Sequence, residues 1–78
     1  MKKIHLYWKT VTTDKGFEMS VPASVAWAVA RAIAKDQNEI VTIAGKRGSG
    51  IVFPGGEAEI RWADGEIKRY GDRAIAVL

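Results

Sequence analysis

Seventy-eight residues make one small domain, and 47% apolar with 27% charged side chains is the composition of a folded globular chain. There is no cysteine and a single histidine, His5, so disulfides, thiolate metal sites, cysteine nucleophiles and a histidine pair on one metal are all excluded. A chain this short buries only about 60% of its unfolded surface, which leaves little room for a deep substrate cleft.

The net charge of +3 is unevenly spread. Residues 1–38 carry six basic side chains against three acidic, whereas residues 39–78 carry six of each. A dedicated phosphate-backbone binder shows a more concentrated basic excess. The chain is also not acidic enough to imitate DNA by charge. The opening Met1-Lys2-Lys3 could start a signal peptide, but His5 and Lys9 break the segment that follows and no small-residue cleavage site appears. The longest apolar run, Val25–Ala30, is far short of the roughly 20 residues of a membrane span. The expectation is a soluble, cytoplasmic protein with no membrane contact.

Residues 3–12 alternate and predict a strand, with Ile4, Leu6 and Trp8 on one side and His5, Tyr7 and Lys9 on the other. Thr13-Asp14-Lys15-Gly16 is a turn, and Phe17-Glu18-Met19 returns as a short strand. Ser20 is the N-cap candidate of an alanine-rich helix over 21–36 that closes at Asp36-Gln37-Asn38. Helical periodicity puts Val25, Val29, Ala32 and Ile33 on the core stripe and leaves Trp27 near the opposite side, beside Arg31.

Short strands and tight turns follow. Glu39–Ala44 is a strand, Gly45–Gly50 a loop and Ile51-Val52-Phe53 a strand, and Pro54-Gly55-Gly56 turns the chain. Glu57–Ala63 alternates with Ala58, Ile60 and Trp62 inward. Asp64-Gly65 signals a two-residue type I′ hairpin, which opposes Trp62 to Ile67 and Arg61 to Lys68. Glu66–Tyr70 returns, Gly71-Asp72 turns, and Ala74–Leu78 closes the chain. No linker, repeat or low-complexity segment interrupts it.

The second half resembles the SH3-like barrel superfamily. The resemblance is carried by Ile40-Val41-Thr42-Ile43-Ala44-Gly45, by Gly48-Ser49-Gly50-Ile51-Val52, by Ala58-Glu59-Ile60-Arg61-Trp62-Ala63-Asp64-Gly65, by Tyr70 and by Ala76-Val77-Leu78. The Ile-x-Trp-x-Asp-Gly hairpin is similar to those of Tudor-like and Mind-bomb/Herc-type domains, and Gly-x-x-Gly-x-Gly-Ile-Val to a KOW motif. The match covers residues 39–78 alone. It implies a non-enzymatic module that binds proteins, modified side chains or nucleic acid.

Catalytic signals are weak. Glu57 and Glu59 share a strand face with Arg61; acid–base work needs one carboxyl desolvated, and that face reads as solvated. His5 has no serine or aspartate partner at a recognisable spacing. The Gly45–Gly50 loop could cradle a phosphate, with Lys46 and Arg47 adding charge, but it lacks the Lys-Ser/Thr ending of a P-loop and a strand follows it. It reads instead as an exposed loop or a macromolecular contact. Trp27 is either covered by the sheet or the N-terminal hairpin, or an interface anchor beside Arg31.

The expected fold is α+β, one helix on a curved antiparallel sheet or partly open SH3-like barrel, forming a single domain. Its expected core is Ile4, Leu6, Trp8, Val25, Val29, Ile33, Ile40, Ile43, Ile51, Phe53, Ile60, Trp62, Ile67, Ile75 and Val77. The expected function is a small non-enzymatic protein that occupies the surface of a protein or nucleoprotein partner. By size and lack of catalytic equipment alone, it fits the accessory or inhibitory proteins of phages and mobile elements, including anti-CRISPR proteins. The alternative is a nucleic-acid-binding SH3-like or KOW-like module, supported by a pI near 9.5; the balanced charge of residues 39–78 ranks it second, with a weak nucleic-acid contact left open. Expected partner-binding residues are Trp27, Arg31, Lys46, Arg47, Arg61, Lys68 and Tyr70, with no cofactor, metal or catalytic residue.

Overall fold

The computed structural model describes residues 8–69 and 78, with the side chains of 68 and 69 excepted. The elements are β1 (Trp8–Thr13), β2 (Glu18–Pro22), α1 (Ala23–Gln37), β3 (Val41–Ala44), β4 (Gly48–Val52), β5 (Ala58–Trp62) and β6 (Ile67–Arg69). The strands form one six-stranded sheet in the order β2-β1-β3-β4-β5-β6, with every neighbouring pair antiparallel. The helix connects β2 to β3 across β1 and lies on one face of the sheet, over β1 to β4. The architecture is therefore α+β.

Three hairpins close in the same way. Thr13, Phe53 and Trp62 each accept a bond from a glycine three residues on (Gly16, Gly56, Gly65) and donate to the carbonyl four residues on (Phe17, Glu57, Glu66). All three glycines have positive φ, at 87°, 94° and 95°. These are three-residue loops ending on a glycine whose conformation L side chains resist. Asp64 reinforces the last one, its Oδ1 accepting from the Glu66 N–H at 2.9 Å.

This geometry corrects the expected two-residue turn at Asp64-Gly65. Trp62 and Glu66 close the loop, so Arg61 pairs with Ile67, Ile60 with Lys68 and Glu59 with Arg69. A one-residue slip moves every side chain to the other face. Ile67, expected in the core opposite Trp62, is 58% exposed, and the expected Arg61/Lys68 clash of cations does not arise.

The core lies between helix and sheet. One row crosses the sheet as Met19, Val11, Ile43, Gly50 and Ile60. Val41, Val52 and Ala58 form a second row, and Leu78 joins the cluster. Ala58 and Ile60 are inward as expected, and Trp62 is half-buried against the same core.

On the helix the fully buried residues are Ala26, Ala30 and Ala34, with Trp27 and Ile33 packed on the two flanks. The expected stripe is thus turned by about one residue, roughly 100° of helix. Val25 and Ala32 are exposed and Val29 is half-buried. Three alanines let the helix approach the sheet closely, and the larger side chains wedge in at the sides. Trp27 consequently does not stand opposite the core.

The first strand also has the opposite parity. Lys9, Val11 and Thr13 face the helix side, while Trp8 is exposed, as is Ile40 before β3. The expected core members Ile51 and Phe53 are half-buried. Ser20 does not cap the helix; it lies in β2, which runs straight into α1 through Pro22, where no side chain caps the first turn. At the other end Asn38 is left-handed (φ 53°, ψ 47°) and its N–H donates to the Ala34 carbonyl. Ile4, His5, Leu6, Tyr7, Tyr70, Ile75, Val77 and the expected turn and strand beyond residue 70 lie outside the described residues.

Candidate binding surface

The β3–β4 hairpin is much tighter than the expected six-residue loop. Gly45 and Gly48 pair through a 3.0 Å hydrogen bond, leaving Lys46 and Arg47 as the tip, and Gly48-Ser49-Gly50 belongs to β4. The glycines are there because backbones crowd together. A Cβ on Gly48 would run into the Arg61 carbonyl oxygen and lie 2.9 Å from the Trp62 Cα. A Cβ on Gly45 would meet Leu78 at 2.6 Å.

Arg47 is held on both sides of its peptide backbone. Its N–H donates to the Leu78 carbonyl at 3.1 Å, and its own carbonyl accepts from the Ala63 N–H at 2.9 Å. The tip is therefore joined to the β5–β6 turn, and its two exposed cations are presented from a fixed backbone. Arg47, Trp62, Ala63, Asp64 and Glu66 together line a shallow depression of about 430 Å³.

A third cation stands close to this tip. Lys9 precedes Thr10, which pairs with Ala44, so it lies beside the start of the loop. It is only 8% exposed. Burial lowers its pKa below the usual lysine value, and the Lys46 and Arg47 charges push it the same way. The helix starts at this end of the sheet with no acid in its first turn, so its positive dipole end adds to the field.

The other expected site residues scatter. Arg61 lies in β5 on the sheet face turned away from the helix, with Nε 3.7 Å from Glu59 Oε1 in an exposed ion pair worth little. Lys68 holds the register position opposite Ile60. Arg31 and Lys35 lie beside Gly56 in the β4–β5 turn, and Trp27 packs partly on the core. The structure thus brings Arg47, next to Lys46, together with Trp62 in one depression, and places Arg31 beside the β4–β5 turn at the opposite end of the strands. Tyr70 lies outside the described residues.

Lys9 was missed as a member because its neighbours Trp8 and Leu6 draw the inward parity to themselves. The signal that would have found it is Val11, two residues on, in a run otherwise of threonines.

Among the described residues no three His, Asp or Glu side chains group to hold a metal ion, and no helix is long and apolar enough to cross a membrane. The fold and surface define a small α+β domain with a basic loop at one end. In comparison with known proteins, the chain matches no family model, no curated protein and no solved structure.

Proposed function

We propose that the chain is a small non-enzymatic binding protein that occupies a protein or nucleoprotein partner through the end of the sheet carrying Lys46, Arg47 and Trp62. The observation that carries this reading is the backbone clamp on Arg47 from Leu78 and Ala63. Pre-ordering a loop removes part of the entropy cost of association, and arginine and tryptophan are among the residue types enriched at interface hot spots. Asp64 and Glu66 line the same depression as Arg47. Such mixed charge complements a protein surface, and the two carboxylates beside the cations weaken attraction to a polyphosphate chain, which favours protein over nucleic acid.

The SH3-like reading belongs to this proposal. It is supported by the consecutive antiparallel pairing of β3, β4, β5 and β6 and by the inward Ala58, Ile60 and Trp62. An inhibitory role in a phage or mobile element is consistent with a chain that acts by steric occupation.

The test is a comparison of the natural chain with Lys46→Glu/Arg47→Glu. The double variant keeps its Tm and loses a nuclease-resistant protein partner captured by the natural chain from its source cells. A generic oligonucleotide binds with a Kd of about 10⁻⁴ M or weaker at physiological salt. Sub-micromolar oligonucleotide affinity at that salt overturns the reading in favour of a nucleic-acid module.

A further inference from the structure

A second concavity lies at the opposite end of the sheet, between the tip of the β1–β2 hairpin and the last turn of α1. It measures about 650 Å³, within the size range of small-molecule sites, and is lined by Phe17, Met19, Ile33, Gln37, Lys15 and Glu39, among others. Phe17 is 62% exposed and offers its ring at the rim of this groove. Met19 and Ile33 are half-buried and continue the apolar wall down to the core.

Glu39 is the polar member that stands out. It is 8% exposed, and its Oε1 is shielded from solvent with no hydrogen-bond partner. Lys15 lines the same groove yet gives that oxygen no bond. The backbone holds the residue there, because the Asn38 turn is fixed and the Glu39 N–H donates to the Ala34 carbonyl at 3.2 Å. A carboxylate removed from water without compensation is costly, and native proteins keep few such groups.

We propose that this groove binds a small amphiphilic organic cation, a primary ammonium carried on an aliphatic or aromatic body. The cation sits beside Glu39, which lines the groove, and offsets its carboxylate charge, while the body packs on Met19 and Ile33. The Phe17 ring adds a face on which a cation or an aromatic body stacks. Glu39 favours a cationic centre over a neutral group on a body of the same shape, and Lys15 on the same wall disfavours a second cationic centre. This site is independent of the Lys46/Arg47 surface, which lies at the other end of the strands.

The probe is 4-phenylbutylamine, titrated into the 78-residue chain and followed by backbone amide NMR, with 4-phenylbutan-1-ol as the neutral isostere. The amine gives saturable shifts at Gly16, Phe17, Gln37 and Glu39, and the alcohol binds at least about tenfold more weakly, the size of one charged contact. Glu39→Gln abolishes the preference for amine over alcohol, and Phe17→Ala weakens both ligands. If Glu39→Gln does not fold, the amine–alcohol ratio on the natural chain and the Phe17→Ala result still decide. Equal binding of amine and alcohol, an undiminished preference in Glu39→Gln, or shifts confined to other regions overturns the proposal. Binding of a capped Gly-Arg-Gly peptide without binding of the amine also overturns it, and assigns the groove to a partner protein's side chain.

Discussion

Arg61 stands directly across from Ile67 on the β5–β6 ladder, and the pairing turns an isoleucine outward on the face of the sheet away from α1. The pairing is fixed by the loop between Trp62 and Glu66, where Gly65 has a φ of 95°. Gly65→Ala forces a side chain into the left-handed region and costs about 1–2 kcal/mol. Gly65→Asn costs less, because asparagine tolerates that region. Urea midpoints of the two variants check the order.

Gly48→Ala is expected to be far more damaging. The added methyl meets the Arg61 carbonyl, which is backbone and cannot swing aside. A loss of about 3 kcal/mol or more is expected, from overpacking combined with a broken β4–β5 ladder. Gly55→Ala is the control: nothing lies within 4 Å of the new Cβ. It should change stability by less than about 0.5 kcal/mol in the same denaturation experiment.

Ala30→Leu tests the helix seat. Ala30 is wholly buried against the sheet, so the larger side chain pushes α1 off it and costs about 1–3 kcal/mol. Val25→Ala, at an exposed position, costs under about 1 kcal/mol. Trp27→Ala falls between a surface change and a full core deletion, and lowers the Tm, because Trp27 flanks the core. Thermal melts of the three variants rank them.

Lys9 carries a pH signature. Its folded pKa lies below the unfolded value of 10.5, first from burial and then from Lys46 and Arg47. The unfolded chain therefore holds the Lys9 proton more tightly, and folding stability rises as pH climbs from the folded pKa toward 10.5. Below the folded pKa the full penalty for the buried charge is present. Lys9→Met removes that penalty, so its Tm gain over the natural chain is greatest near neutral pH and shrinks toward pH 10.5. A constant Tm difference across that range would contradict the assignment.

Element order and most turns are legible in the sequence because glycine and proline punctuate it and β5 alternates cleanly between polar and apolar. Parity is harder to read. In β1, Trp8 looks like the inward residue by hydrophobicity, yet Val11 between threonines sets the inward side and takes Lys9 with it. In α1, valines outrank alanines on any transfer scale, but the closest helix–sheet approach selects the smallest side chains. Asp64-Gly65 fits both a two-residue and a three-residue loop, and the choice rests on whether Ala63 joins the strand or the turn. Glu39 gives no local signal at all, since its burial depends on a hairpin tip more than twenty residues earlier in the chain.

The helix crossing from β2 to β3 has a kinetic consequence. Among the described residues the β1–β3 ladder is the one strand pairing that joins the N-terminal hairpin to the four-strand meander, and the other pairings are between sequence neighbours. Closing it requires the whole hairpin and helix to be gathered first, which is slow relative to forming a local hairpin. Val11 and Ile43 sit opposite each other in that ladder. The rate at which this chain acquires its final shape is therefore set where its two halves meet, and shortening either side chain should show in the refolding arm of a chevron more than truncations within the meander do.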